Sequence, residues 1–136
     1  GEQRSVAVLG DTGPDAIEKS DRLALLWERL APDLRSGRLG ALVMEASYPN
    51  ARPDDLLFGH LTPKWLLVEL GRLAAVFDPN KPKHALKGLK VVVMHIKPAA
   101  TKGKTAREQV LEELKAGNDL GVRFVVPRAG DTVRVP

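Results

Sequence analysis

Three short apolar runs, each ending on a side chain with acid–base or metal chemistry, constrain this chain more than any other feature. Val6-Ala7-Val8-Leu9-Gly10 runs into Asp11, Ala41-Leu42-Val43-Met44 into Glu45, and Val91-Val92-Val93-Met94 into His95. Short β-branched runs bounded by turn formers are expected to be buried strands. Strands alternating with helical patterns predict parallel βαβ units. Ligands in open α/β sheets bind beyond the carboxyl ends of the strands. Asp11, Glu45 and His95 are therefore expected to share one site.

Between the runs the periodicity is helical. Leu23, Leu26, Trp27 and Leu30 fall at i, i+3, i+4 and i+7, with Ser20 expected as N-cap and Pro32 beyond the stripe. Gly10 to Asp15 is dense in turn formers and is expected to be a loop, as is the aperiodic stretch from Ala46 to Leu61. A structureless stretch of that length inside a compact domain is usually functional. It ends on Gly59-His60-Leu61-Thr62-Pro63, where Thr62 can cap and Pro63 can open a helix marked by Leu66, Leu70, Leu73 and Phe77. His60 thus precedes a helix N-terminus, a position that favours anions.

Asp78 to Pro82 is a break, and Leu89 to Met94 the third strand. Thr105 with Glu108 three residues on predicts a capping box, and Val110, Leu111 and Leu114 the apolar side of a helix ending at Gly117. Val122 to Val126 and Thr132 to Val135 are expected as two closing strands. The expected order is β-α-β-loop-α-β-α-β-β.

At 136 residues the chain is one domain by length, and 43% hydrophobic with 28% charged residues is ordinary globular composition. No apolar run approaches the roughly 20 residues that span a bilayer, and no secretory signal pattern opens the chain. Gly1 to Ser5 has the look of a cleaved or artificial start. With no cysteine, any metal must be held by His, Asp, Glu or water. The net charge of +4 is concentrated late. Between Asp78 and Glu108 there is no acid, while Lys81, Lys83, Lys87, Lys90, Lys97, Lys102, Lys104 and Arg107 lie there. That stretch is either a field for an anionic ligand or a solvated face.

Taken singly, the candidate residues have plain structural readings. Asp11 would form an Asx-turn in a glycine loop, Glu45 would cap the next segment, His95 would be a satisfied strand-end residue, and His84 is surface. At neighbouring strand ends, however, Asp and His make suitable ligands for zinc or manganese. Two motif matches fail. Lys102-Gly103-Lys104-Thr105 has Pro98 where a phosphate-binding loop needs glycine, and Gly10-Asp11-Thr12-Gly13 lacks dinucleotide-site spacing.

Gly-Asp-Thr-Gly-Pro-Asp at 10–15, Met-Glu-Ala-Ser-Tyr-Pro-Asn at 44–50, Phe-Gly-His-Leu-Thr-Pro-Lys-Trp-Leu at 58–66 and Val-Val-Val-Met-His-Ile-Lys-Pro at 91–98 follow one another in order. Together with the tail from Asn118 to Pro127, the sequence resembles the C-terminal half of the class II cyclic-nucleotide phosphodiesterases of the metallo-β-lactamase superfamily. The resemblance implies an α/β chain that forms the second half of an αββα sandwich. It also implies hydrolysis of a 3′,5′-cyclic nucleotide to the 5′ nucleotide with two divalent metals, zinc or, as an alternative, manganese. On this resemblance Asp11 matches the metal-bridging carboxylate and His95 the last histidine ligand. His60 matches the histidine that assists the leaving oxygen, and Glu45 the group that orients it. Lys97, and less directly Lys64, would neutralise phosphate charge.

The metal motif H-x-H-x-D-H of the superfamily's first half does not occur here. Asp11 and His95 alone do not complete a shell of four or more ligands per ion. The expected partners are therefore the cyclic nucleotide and the N-terminal half or a second chain, a homodimer included. A half-sandwich would leave an apolar sheet face to be covered by one of them. The chain alone is expected to be inactive, as a proteolytic or artificial fragment, a split subunit or a remnant. The alternatives are a related phosphodiesterase or ribonuclease, and a non-catalytic half-fold module. No membrane or DNA partner is expected, and the compartment stays open between periplasm and cytoplasm.

Overall fold

In a computed structural model of the chain, β1 (Ser5–Val8), β2 (Leu39–Glu45), β3 (Lys90–Met94) and β4 (Arg123–Val125) form one sheet in that spatial order, each neighbouring pair parallel. Residues 3–99 and 103–135 are described. Gly1 and Glu2 of the expected start, and Lys102 of the basic stretch and the failed phosphate-loop match, lie outside them.

Parallel neighbours require crossovers, and each crossover carries a helix. Between β1 and β2 run α1 (Asp15–Glu18) and α2 (Arg22–Arg35), between β2 and β3 run α3 (Pro63–Phe77) and α4 (Pro82–Ala85), and α5 (Ala106–Gly117) precedes β4. Among the described residues no helix is long and apolar enough to cross a membrane.

The three long helices form one layer, α3 between α2 and α5. They pack on the sheet face that carries Leu42, Met44, Val91 and Val93, through Leu23, Trp27, Leu66, Leu70, Leu73, Val110 and Leu114. Full burial of each such side chain contributes about 1.5–3 kcal/mol. Side chains that alternate with these point to the opposite face. There Val6, Val8 and Met94 are 41%, 72% and 51% exposed, while Ala41 and Val92 on the same face are buried, so the face is apolar and open in part.

The Thr105–Glu108 capping box forms as expected, Thr105 Oγ1 accepting from Glu108 N and Glu108 Oε2 from Thr105 N. The expectations near α2 need correction. Asp21, not Ser20, holds the N-cap position, and its side chain caps nothing. The cap comes from Asp15, whose carboxylate accepts from Leu23 N, Ala24 N and the Ser20 hydroxyl at 3.1, 2.9 and 2.9 Å. The helix continues through Pro32, giving up the hydrogen bond that proline cannot donate. The turn-rich stretch and the break are irregular as expected, and each leads at its last residue into a four-residue helix not expected from the sequence, α1 from Asp15 and α4 from Pro82. Thr132 to Val135 is not a strand. Pro127, which donates no ladder hydrogen bond, and the turn closed by Asp131 N to Arg128 O interrupt the extended chain after β4, and Thr132 to Val135 pairs with no strand.

Asp15 also joins a buried cluster. Its backbone N–H donates to Glu69, which accepts the Trp27 indole N–H at 3.1 Å, and Arg72 bridges both carboxylates. Burial pushes the Asp15 carboxyl up, but the N–H groups of Ala24 and Leu23, the Ser20 hydroxyl and the Arg72 charge together outweigh it and hold it below its usual value. A carboxyl depressed in the folded state stabilises above its unfolded pKa, and that contribution disappears as pH falls through the folded pKa. Asp15→Asn is therefore expected to cost about 1 kcal/mol at pH 7, in line with loss of a cap. Urea unfolding along a pH series should show that difference closing below about pH 4; a constant difference would contradict the assignment.

Candidate active site

Register places the chemistry. Val8 pairs with Val43 and Glu45 with Met94, so the carboxyl ends of β1, β2 and β3 lie side by side. Asp11, Glu45 and His95 leave these adjacent ends, as their strand-end positions in the sequence imply. Asp11 Oδ1 and His95 Nε2 are 3.7 Å apart, both side chains open to solvent.

Glu45 is the buried hub, only 3% exposed. Its Oε1 accepts from Thr12 N at 3.1 Å and from His60 Nδ1 at 2.8 Å. Its Oε2 accepts from Ser47 N at 3.0 Å, the Ser47 hydroxyl at 2.7 Å and Leu61 N at 3.2 Å. One carboxylate thereby ties the loop after β1, the end of β2 and the loop before α3 together. His60 is held between this carboxylate and the opening. Its ring stacks on His95, centroids 5.4 Å apart and 18° between planes, and meets Tyr48 edge-on at 5.9 Å.

Lys97 Nζ stands 3.1 Å from His60 Nε2 and 3.3 Å from the Tyr48 hydroxyl. An ammonium only donates, so Nε2 accepts and the imidazole proton resides on Nδ1, given to Glu45. His60 is thus neutral in this arrangement. Two residues here adopt the left-handed backbone region without being glycine: His95 at φ 59° and Phe58 at φ 50°. Such conformations cost on the order of 1–3 kcal/mol and cluster at functional sites.

Asp11, His60 and His95 each bring a ligand atom within 4.8 Å of the others. Donors on a tetrahedral zinc stand about 3.4 Å apart, and the 3.7 Å between Asp11 and His95 is close to that. One carboxylate and imidazole nitrogen suit zinc or manganese, so the residues present fit a divalent ion, with further ligands needed to complete it.

Five of the six residues singled out from the sequence meet or adjoin one another: Asp11, Glu45, His60, His95 and Lys97. Lys64 makes its contacts elsewhere. Its side chain is exposed, its ammonium 5.2 Å over the Trp65 ring. The helix N-terminus after His60 is not open to anions as expected: Lys64 N donates to Asn50 Oδ1 and Trp65 N to Thr62 Oγ1. Ser47, Tyr48 and Thr12 were not singled out by sequence. Their only signal was membership in the loops that follow the strands. His84 is exposed, as expected.

The sequence model of the class-II cAMP phosphodiesterases matches residues 2–130. A probable 3′,5′-cyclic-nucleotide phosphodiesterase of Yersinia pestis is 44% identical over 126 residues, 93% of this chain and 36% of that protein. A 3′,5′-cyclic-nucleotide phosphodiesterase of Aliivibrio fischeri is 40% identical over 94% of this chain and 38% of that protein. The crystal structure of unliganded yeast PDE1 superposes on 92% of this chain and 35% of its own, with a TM-score of 0.76 and 26% identity. The α/β fold is therefore that of the matching part of yeast PDE1. The chain spans little more than a third of the length of these relatives.

Proposed function

The chain belongs to the class-II cAMP phosphodiesterases, and on that premise we propose that it is the C-terminal half of an enzyme hydrolysing 3′,5′-cyclic nucleotides to 5′ nucleotides. The observation that carries this reading is a histidine, His60, clamped by a buried carboxylate and set against an exposed Asp–His pair suited to a metal.

Asp11 and His95 would hold part of the metal shell, the remaining ligands coming from a segment outside this chain. Bound divalent ions, zinc or manganese, would supply Lewis-acid activation of water and charge neutralisation at the phosphate. The other half of the sandwich would pack on the sheet face bearing Val6, Val8 and Met94, covering apolar side chains that are exposed in this chain.

His60 is the general acid in this reading. Glu45 fixes its ring through Nδ1 and stabilises the imidazolium form: once Lys97 leaves Nε2, that nitrogen takes up a proton from solvent and delivers it to the departing 3′ oxygen as the P–O bond breaks. Lys97, seated at Nε2 in the absence of substrate, moves onto the phosphate when substrate enters, freeing Nε2. Tyr48 guides that lysine through its hydroxyl. Lys64, directed at Trp65, is left out of this scheme.

The test is His60→Ala in the intact phosphodiesterase. Cyclic-AMP turnover is expected to drop about 10²-fold, as for loss of a general acid, while metal content by elemental analysis stays at the wild-type level. Loss of metal instead would make His60 a ligand, as its place within 4.8 Å of Asp11 and His95 allows.

A further inference from the structure

Phe58 stands out from the rest of the site. It is 71% exposed in a chain with only 4% aromatic residues. Leu57 to His60 form a tight turn closed by His60 N to Leu57 O at 3.1 Å, with positive φ at both central positions, 50° at Phe58 and 79° at Gly59. Turns of that kind favour Asn, Asp or Gly at the first of these positions. A phenyl ring there neither helps the turn nor enters the core, so local folding does not account for it.

Its surroundings point to a ligand. The Arg52 guanidinium lies over the Tyr48 ring at 4.2 Å and over the Phe58 ring at 5.8 Å, and its Nε is fixed by the Leu56 carbonyl at 2.8 Å. Tyr48 in turn meets His60 edge-on. A continuous ledge therefore runs from His60 through Tyr48 and Arg52 to Phe58. Gly59, the next residue, lines the same hollow of about 510 Å3 as Asp11 and Thr12, a volume within the usual range of small-ligand sites. Phe58 itself lies outside that hollow, at the end of the ledge away from His60, with the Arg52 guanidinium between it and Tyr48.

We propose that Phe58, backed by Arg52, is the stacking platform for the nucleobase of the substrate. The inference rests on the cyclic-nucleotide reading above and adds to it the subsite for the base. An exposed aromatic ring stacks on a purine or pyrimidine with little dependence on its identity, because every base presents a π-face. The phosphate is then directed to Lys97 and His60, and the ledge sets the distance between the two ends of the nucleotide.

The experiment uses the intact phosphodiesterase and two probe pairs: turnover of cyclic AMP against a base-free ribose 3′,5′-cyclic phosphate, and calorimetric binding of 5′-AMP against ribose 5-phosphate. Phe58→Ala is expected to raise KM for cyclic AMP and Kd for 5′-AMP roughly tenfold or more, with kcat and both base-free probes unaffected. Phe58→Trp should restore the wild-type values. Equal loss on base-containing and base-free probes, or no change on either, overturns the platform while leaving the phosphodiesterase reading standing. So does a Phe58→Ala protein whose only difference is its oligomeric state, since the ring would then face another polypeptide. Wild-type protein that turns over neither cyclic phosphate overturns the phosphodiesterase reading and the platform with it.

Discussion

Alanine at Asp11 or at His95 is expected to reduce cyclic-AMP turnover of the intact enzyme to the assay background and to lower its bound divalent metal, without unfolding it. The argument turns on exposure. In this chain the two side chains are 64% and 48% exposed and stand 3.7 Å apart, His95 also stacking on the His60 ring. Substitution of an exposed side chain such as Asp11 usually changes stability by no more than about 0.5 kcal/mol, and at His95 alanine inherits the same left-handed backbone that histidine already occupies. A bound metal stabilises the native state by mass action, so the unfolding comparison belongs in chelator, where wild type and variants should coincide. Elemental analysis and turnover, measured without chelator, should then separate them completely. Full metal content and activity in both variants would remove the metal assignment and the mechanism built on it.

Glu45→Ala should behave in the opposite manner, with loss of activity and of stability together. Glu45 is buried and accepts from Thr12 N, Ser47 N, the Ser47 hydroxyl, His60 Nδ1 and Leu61 N. Alanine would leave Ser47 N and Leu61 N buried without that acceptor and strip the His60 ring of its carboxylate, leaving it only the Ser47 hydroxyl at 3.1 Å; removing one partner from a buried charged arrangement costs about 3–5 kcal/mol. Both loops that carry the chemistry would lose their common anchor. Glu45→Gln separates the two roles. The amide keeps the shape and accepts through one oxygen, so part of the stability should return, whereas the charge that stabilises a protonated His60 does not. Denaturant unfolding and turnover of both variants check this; a Gln variant equal to wild type in both would show that the carboxylate's charge has no part in the reaction.

How much of this was legible beforehand follows from the range of the interactions. The apolar runs gave the strands, the 3.6-residue stripes gave the long helices, and Thr105 with Glu108 gave a cap, because each is settled within one element. Asp11, Glu45 and His95 could be named because parallel strands bring their carboxyl ends to one edge. The α2 cap could not be found this way: its carboxylate comes from Asp15, eight and nine residues before the N–H groups it accepts. Thr132 to Val135 alternates like a strand, yet a strand forms only where the chain is brought alongside a partner, and the turn at Arg128 to Asp131 does not do so here.

By itself, then, the sequence determined the alternation of strands and helices, the acid, acid and imidazole at three strand ends, and the family to which their loops are similar. Tertiary structure alone decided that Glu45 would gather Thr12, Ser47, His60 and Leu61 around one carboxylate, that Lys97 would face His60 Nε2, and that Phe58 would be left in solvent. The reason is physical. Periodicity and caps act over a few residues, whereas a buried charge is satisfied by whichever donors packing brings within about 3 Å, and here the Thr12 donor is 33 residues away along the chain.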